Sequence, residues 1–148
     1  MRLFAGILAH LGLPLTQKFN VTGNRVMVGD LGKKFDPTIA EHAEVIAPFN
    51  IRGRRNIHKY KPKKGHLGRV NVWQNDAPLS DKKILVFGNS FFAEGTSQYH
   101  LTWWLSQYFA QVHFVWAVSP DWKLVDKMQP DILICQTIER FMRNPPKS

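Results

Sequence analysis

A single cysteine, Cys135, occurs among the 148 residues. One thiol excludes an intramolecular disulfide framework and a cysteine-rich zinc site, and it leaves the redox compartment open. No run approaches the ~20 apolar residues that a membrane-spanning helix needs. Acidic residues are absent from position 45 to position 75. None of the eleven acidic residues has a histidine two or three positions downstream, so the chain holds no Asp-x-His or Asp-x-x-His pair. No two of its six histidines stand four apart and no His-Glu-x-x-His occurs, so the sequence calls for neither a metal nor a cofactor.

What is present suffices for a core. Hydrophobic residues make up 44% of the chain, with ten Phe, five Trp and three Tyr, which excludes a wholly disordered protein. The length suits one domain over 1–148. At the amino terminus Phe4, Ile7, Leu8 and Leu11 follow the stripe of an amphipathic helix packed on a core. Gly6, His10 and Gly12 interrupt the run that a signal peptide would need.

The formal net charge is +9, and nearly all of it lies in one stretch. Arg52, Arg54, Arg55, Lys59, Lys61, Lys63, Lys64 and Arg69 follow one another without an acid. Pro48, Gly53, Pro62, Gly65 and Gly68 break this stretch, so much of it is expected to be loop. A short strand over 70–74 leaves it, and an earlier strand over 25–28 ends at Gly29-Asp30.

From Lys83 the pattern sharpens. Residues 84–87 form a buried strand stopped by Gly88-Asn89-Ser90. Leu101, Trp104, Leu105 and Tyr108 recur at helical spacing. A second apolar run covers 112–118, a helical stretch 122–128, a third strand 132–135 and a closing helix 138–142. Strands alternating with helices imply right-handed crossovers and a doubly wound, mainly parallel sheet. The aromatic stripe of Trp103, Trp104, Tyr108, Phe109, Phe114 and Trp116 reads as core, with a carbohydrate groove as the competing use. Cys135 reads as packing at the end of a buried strand.

Open α/β sheets bind ligands beyond the carboxyl ends of their strands, where Gly88-Asn89-Ser90 falls. Gly88 permits a tight turn, Asn89 can donate or accept, and Ser90 carries a hydroxyl. The same residues also suit a helix cap or a plain turn. A Gly-x-Ser-x-Gly elbow is absent, because Phe92 stands at its second glycine. The segment Lys83-Ile-Leu-Val-Phe-Gly-Asn-Ser-Phe-Phe-Ala-Glu-Gly95 nonetheless resembles the nucleophile block of SGNH (GDSL-type) hydrolases. The likeness is greatest to the SGNH hydrolase-like proteins of alginate O-acetylation. Val112-His-Phe-Val-Trp116, Gln129-Pro-Asp-Ile-Leu-Ile134 and Ile138-Glu-Arg-Phe141 continue the resemblance in order, and Gly29-Asp30-Leu31 is similar to an upstream turn of that branch.

The resemblance implies a flavodoxin-like three-layer α/β/α fold and acyl-ester chemistry. Ser90 would take the acyl group and pass it to water or to a hydroxyl of a polysaccharide, with its own N–H as an oxyanion donor. Asn89 replaces the family's aspartate. It also implies a bacterial periplasmic or envelope setting. The family's base and orienting carboxylate are missing, and the chain reads as beginning just after them or as a degenerate relative. His10, His42, His58, His66, His100 and His113 remain as substitutes. His58 and His66 lie in the basic loop; His100 is the candidate base, although it would sit about 15 Å along a helix from Ser90 and reach it only if the loop folds back. This chain alone is therefore expected to be catalytically poor. The competing reading is a binding module in which the eight cations grip nucleic acid or an anionic polysaccharide.

Overall fold

A computed structural model describes residues 2–16, 18–29 and 32–138. The chain divides into two compact units, one of residues 16–49 and one of residues 1–15 with 50–148.

The smaller unit is built on an antiparallel pair, β1 (Val21–Met27) with β2 (Glu41–Ile46). Its ends are tied by the Ala47 N–H donating to the Asn20 carbonyl at 2.9 Å and by Phe19 lying edge-on to Phe49. The expected strand over 25–28 is the second half of β1. Gly23 and Asn24, poor strand formers, hid the first half. Of the Gly29-Asp30-Leu31 turn, Asp30 and Leu31 lie outside the described residues.

The larger unit is an α/β fold around five strands: β3 (Arg54–Tyr60), β4 (Val70–Asn75), β5 (Ser80–Gly88), β6 (Phe109–Trp116) and β7 (Ile132–Cys135). Their order is β3-β4-β6-β5-β7. Three helices accompany them: α1 (Arg2–His10), α2 (Leu101–Tyr108) and α3 (Trp122–Met128). The sheet is mixed, which corrects the expectation of a mainly parallel one. β6, β5 and β7 run parallel, whereas β4 is antiparallel to β6 and β3 antiparallel to β4. Helical crossovers enforce parallel pairing, and they begin only after β5. The connection over 61–69 is non-helical and brings the chain straight back.

The basic stretch is likewise not all loop, since β3 occupies its centre. Arg55, His58 and Lys59 are exposed on this outermost strand, and charged side chains with a register slip between Asn56 and His58 blunt such an edge. Apart from Ile138, the expected closing helix over 138–142 lies outside the described residues.

β5 is the axis of the unit. Ile84, Leu85 and Val86 are wholly buried, which stabilises the fold by about 1.5–3 kcal/mol for each such side chain. All eight residues of α2 are buried, so the aromatic stripe is core at Trp103, Trp104, Tyr108, Phe109 and Phe114. α1 packs on α2 through Phe4, which stacks on Trp104 at 5.8 Å and meets Tyr108 edge-on at 6.1 Å. The start of β7 is latched to β5: Asp131 accepts from the Lys83 N–H at 2.7 Å, and its own N–H returns a bond to the Lys83 carbonyl. The Pro-Asp-apolar run thus has a structural use. Because β6 and β7 flank β5, the chain leaves β5 to one side and arrives on the other. That reversal opens a crevice at the carboxyl ends of these strands.

Candidate functional site

β5 ends at Gly88, and the chain turns at once. The Asn89 carbonyl accepts from the N–H groups of Phe92 at 3.1 Å and Ala93 at 3.0 Å, while its side-chain oxygen accepts from the Phe91 N–H at 3.1 Å. This Asx turn presents Ser90 to solvent at the carboxyl end of the strand. Gly88 is needed for close approach rather than for the turn. A β-carbon there would meet the Phe92 ring at 3.2 Å and Gln136 Oε1 at 3.3 Å. The left-handed residue of the turn is Ala93, at φ 41°.

Ser90 opens into a cleft of about 350 Å³ formed where the three parallel strands end. Asn89 and Ser90 line it from β5, Trp116 to Val118 from β6, and Gln136 to Ile138 from β7. The fourth wall is His66 and Leu67 from the loop between β3 and β4. His66 stacks on Trp116 with ring centroids 4.6 Å apart and planes 20° apart. Of the substitute histidines, His66 is therefore the one that shares the cleft with Ser90. His100 does not line it. It stands at the start of α2, half-buried, where desolvation lowers its pKa against the pull of Glu94. His113 lies within β6, where burial, Lys83 and His58 push its imidazole down to about 4.

Two donors beside Ser90 are unengaged. Its backbone N–H has no acceptor among the described residues, and the buried Asn89 Nδ2 has none either. The residue that sequence reasoning missed is Gln136. Its N–H donates to the Phe87 carbonyl at 2.8 Å, and its Oε1 accepts from the Asn89 N–H at 3.1 Å, so it fastens the turn to β7. The available signal was its place directly after the last strand residue.

The eight cations of the basic stretch separate into two groups. Arg54 is half-buried over the Trp73 ring at 3.6 Å, donates to Ser106 Oγ at 2.6 Å and to the Gly95 carbonyl, and burial brings its pKa down to about 10. Arg55 pairs with Asp76, while Lys59 and Arg69 both pair with Glu94. Arg54 and Arg69 are built into the fold, whereas Arg55 and Lys59 are engaged in ion pairs at its surface. Arg52, Lys61, Lys63 and Lys64 are exposed and form no ion pair among the described residues. Polyanion binding through this stretch should then release few counterions. Titration of duplex DNA against salt is expected to give weak, sequence-independent binding with a log–log slope no steeper than about −4, that is, about −0.9 for each of four contacts. A slope near −7 would mean that Arg54, Arg55, Lys59 and Arg69 also reach the phosphates.

No family model matches the chain, and no curated protein and no solved structure is similar to it.

Proposed function

We propose that the larger unit is a flavodoxin-like three-layer domain of SGNH type that performs slow acyl-ester transfer at Ser90. The observation that carries this reading is the shared cleft: an exposed serine and an imidazole facing one crevice at the strand reversal. In it, Ser90 Oγ attacks the ester carbonyl while His66 takes the hydroxyl proton. The oxygen that becomes negative meets the free Ser90 N–H. The alcohol leaves with the proton, and water or a second hydroxyl, such as that of a sugar, then takes the acyl group from Ser90. The Trp116 stack fixes the plane of the His66 ring. Among the described residues no carboxylate lines the cleft to orient that ring, which keeps the rate low.

Hydrolysis of p-nitrophenyl esters tests this. A slow, protein-dependent rate is expected that Ser90→Ala reduces to the uncatalysed level. His66→Ala should reduce it by about 10²-fold, at the low end of what general-base help contributes. Added imidazole should restore part of the His66→Ala rate. A wild-type rate that Ser90→Ala leaves unchanged would refute the reading.

A further inference from the structure

Beside the Ser90 cleft lies a second, larger hollow of about 490 Å³. Leu3 and Ile7 of α1, Phe91, Phe92, Leu101 and Ile134 of β7 line it. Among the described residues no charged side chain lines it. Two of its members are anomalous for a water-facing surface: Leu3 is 60% exposed and Phe91 57%. Phe91 is the residue after Ser90, and Gln136, Thr137 and Ile138 line both hollows. The cleft holding the hydroxyl and the more apolar groove thus lie side by side. Along α1 the apolar surface continues past Ile132 and Leu11.

We infer that this groove holds the acyl chain of the ester, so that the site favours aliphatic chains of medium length over acetyl. The inference rests on the acyl-transfer reading of Ser90 and names its substrate class. A sugar would leave hydroxyls unpaired against Leu3, Ile7, Phe92 and Ile134, and an anion would meet no cation among the described residues there. An aliphatic chain loses nothing polar on entry and buries its methylenes. A two-carbon acyl group would leave nearly all of the groove wet. The size falls in the range that small-molecule sites use. The chemistry balances with no further reactant: the serine–acyl bond forms as the ester C–O bond breaks, and the chain stays in the groove until water or an alcohol cleaves the acyl-serine.

Two measurements on the full chain test it. The first compares kcat/KM for p-nitrophenyl octanoate and p-nitrophenyl acetate. Octanoate is expected to be favoured by at least about tenfold, the lower bound that even one methylene contributes in an apolar pocket. Leu3→Glu, at an exposed position that a charge does not unfold, should bring the ratio to near one. Ile7→Trp, which fills the groove from α1, should do the same. The second measurement is calorimetric binding of sodium octanoate to wild type, Ser90→Ala and Leu3→Glu. Binding to the first two and not to the third is expected. Serine-dependent hydrolysis with equal kcat/KM for both esters and no octanoate binding would overturn the groove assignment while leaving acyl transfer at Ser90 intact. Octanoate binding that Leu3→Glu abolishes, in a protein without serine-dependent hydrolysis, would uphold the groove's ligand and overturn the acyl-transfer reading.

Discussion

Arg69→Met is expected to destabilise the larger unit by about 2–3 kcal/mol. Arg69 is only 7% exposed, and its guanidinium pairs with Glu94 and lies 5.6 Å from the centre of the Trp116 ring. Removing it leaves Glu94 with Lys59 alone. The cost stays below that of a fully buried pair because the Glu94 side chain keeps a quarter of its exposure. Acid sensitivity should change as well. The Lys59 hydrogen bond foremost, and the charges of Lys59, Arg69 and Lys61, hold the Glu94 carboxyl below its ordinary pKa, against the opposing effect of burial. A carboxyl depressed in the folded state binds its proton more readily when unfolded. Its contribution is therefore present at neutral pH and disappears as pH falls through the depressed value. With Arg69 gone the gap narrows, so the variant should lose less stability on acidification than the wild type. Urea unfolding at neutral pH and below about pH 4 measures both effects. A loss under about 0.5 kcal/mol at neutral pH would show that Arg69 is dispensable.

Gly95→Ala should cost about 2–4 kcal/mol, from two separate causes. Gly95 sits at φ 70°, where a side chain is strained. A β-carbon there would also stand 2.7 Å from Trp73 Nε1 and 2.8 Å from Thr102 Cγ2, both parts of buried residues. Trp73 is not free to yield, because its Nε1 donates to the Glu94 carbonyl at 2.9 Å and Arg54 covers the ring, and Thr102 is wholly buried. The same loop carries Ser90, so a folded fraction of Gly95→Ala should also acylate more slowly. Denaturation midpoints, compared with the milder Gly65→Ala on the basic loop, separate the clash from the strain. Gly65 shares a positive φ of 69° and has open space where a β-carbon would go. Equal losses for the two variants would remove the role assigned to packing at Gly95.

Residues 83–135 were legible because their order is local. A continuous apolar run reads as a buried strand, a 3.6-residue stripe as a helix, and Gly88-Asn89-Ser90 as the stop between them. α3 begins and ends where its sequence suggests, since Asp121 accepts from the Leu124 N–H at 3.2 Å and Gln129 closes the helix at φ 46°. The basic stretch was not legible. β3 has neither alternation nor an apolar run, and it is a strand only because β4 pairs with it. The direction of β4 was hidden for the same reason, as strand pairing is a tertiary fact. Charge alone could not reveal that Arg54 and Arg69 fold inward, because their partners, Trp73, Glu94 and Gly95, lie 19–41 positions away. At the site, Ser90 and Asn89 announced themselves by following a strand. His66 did not, since only the return of the 61–69 loop over Trp116 brings it to the cleft. Cys135, read as packing at the end of a buried strand, instead stands exposed at the end of the outermost strand. Its thiol pKa is raised by burial of the sulfur's surroundings.

The most direct measurement of the central claim is covalent. Incubating the protein with p-nitrophenyl acetate, quenching in acid and mapping peptides by mass spectrometry reads the acyl group where it sits. The account predicts one acetyl group on the Ser90 peptide, absent from Ser90→Ala and much slower to appear in His66→Ala. Acetyl groups on lysines alone, at the same rate in all three proteins, would contradict it.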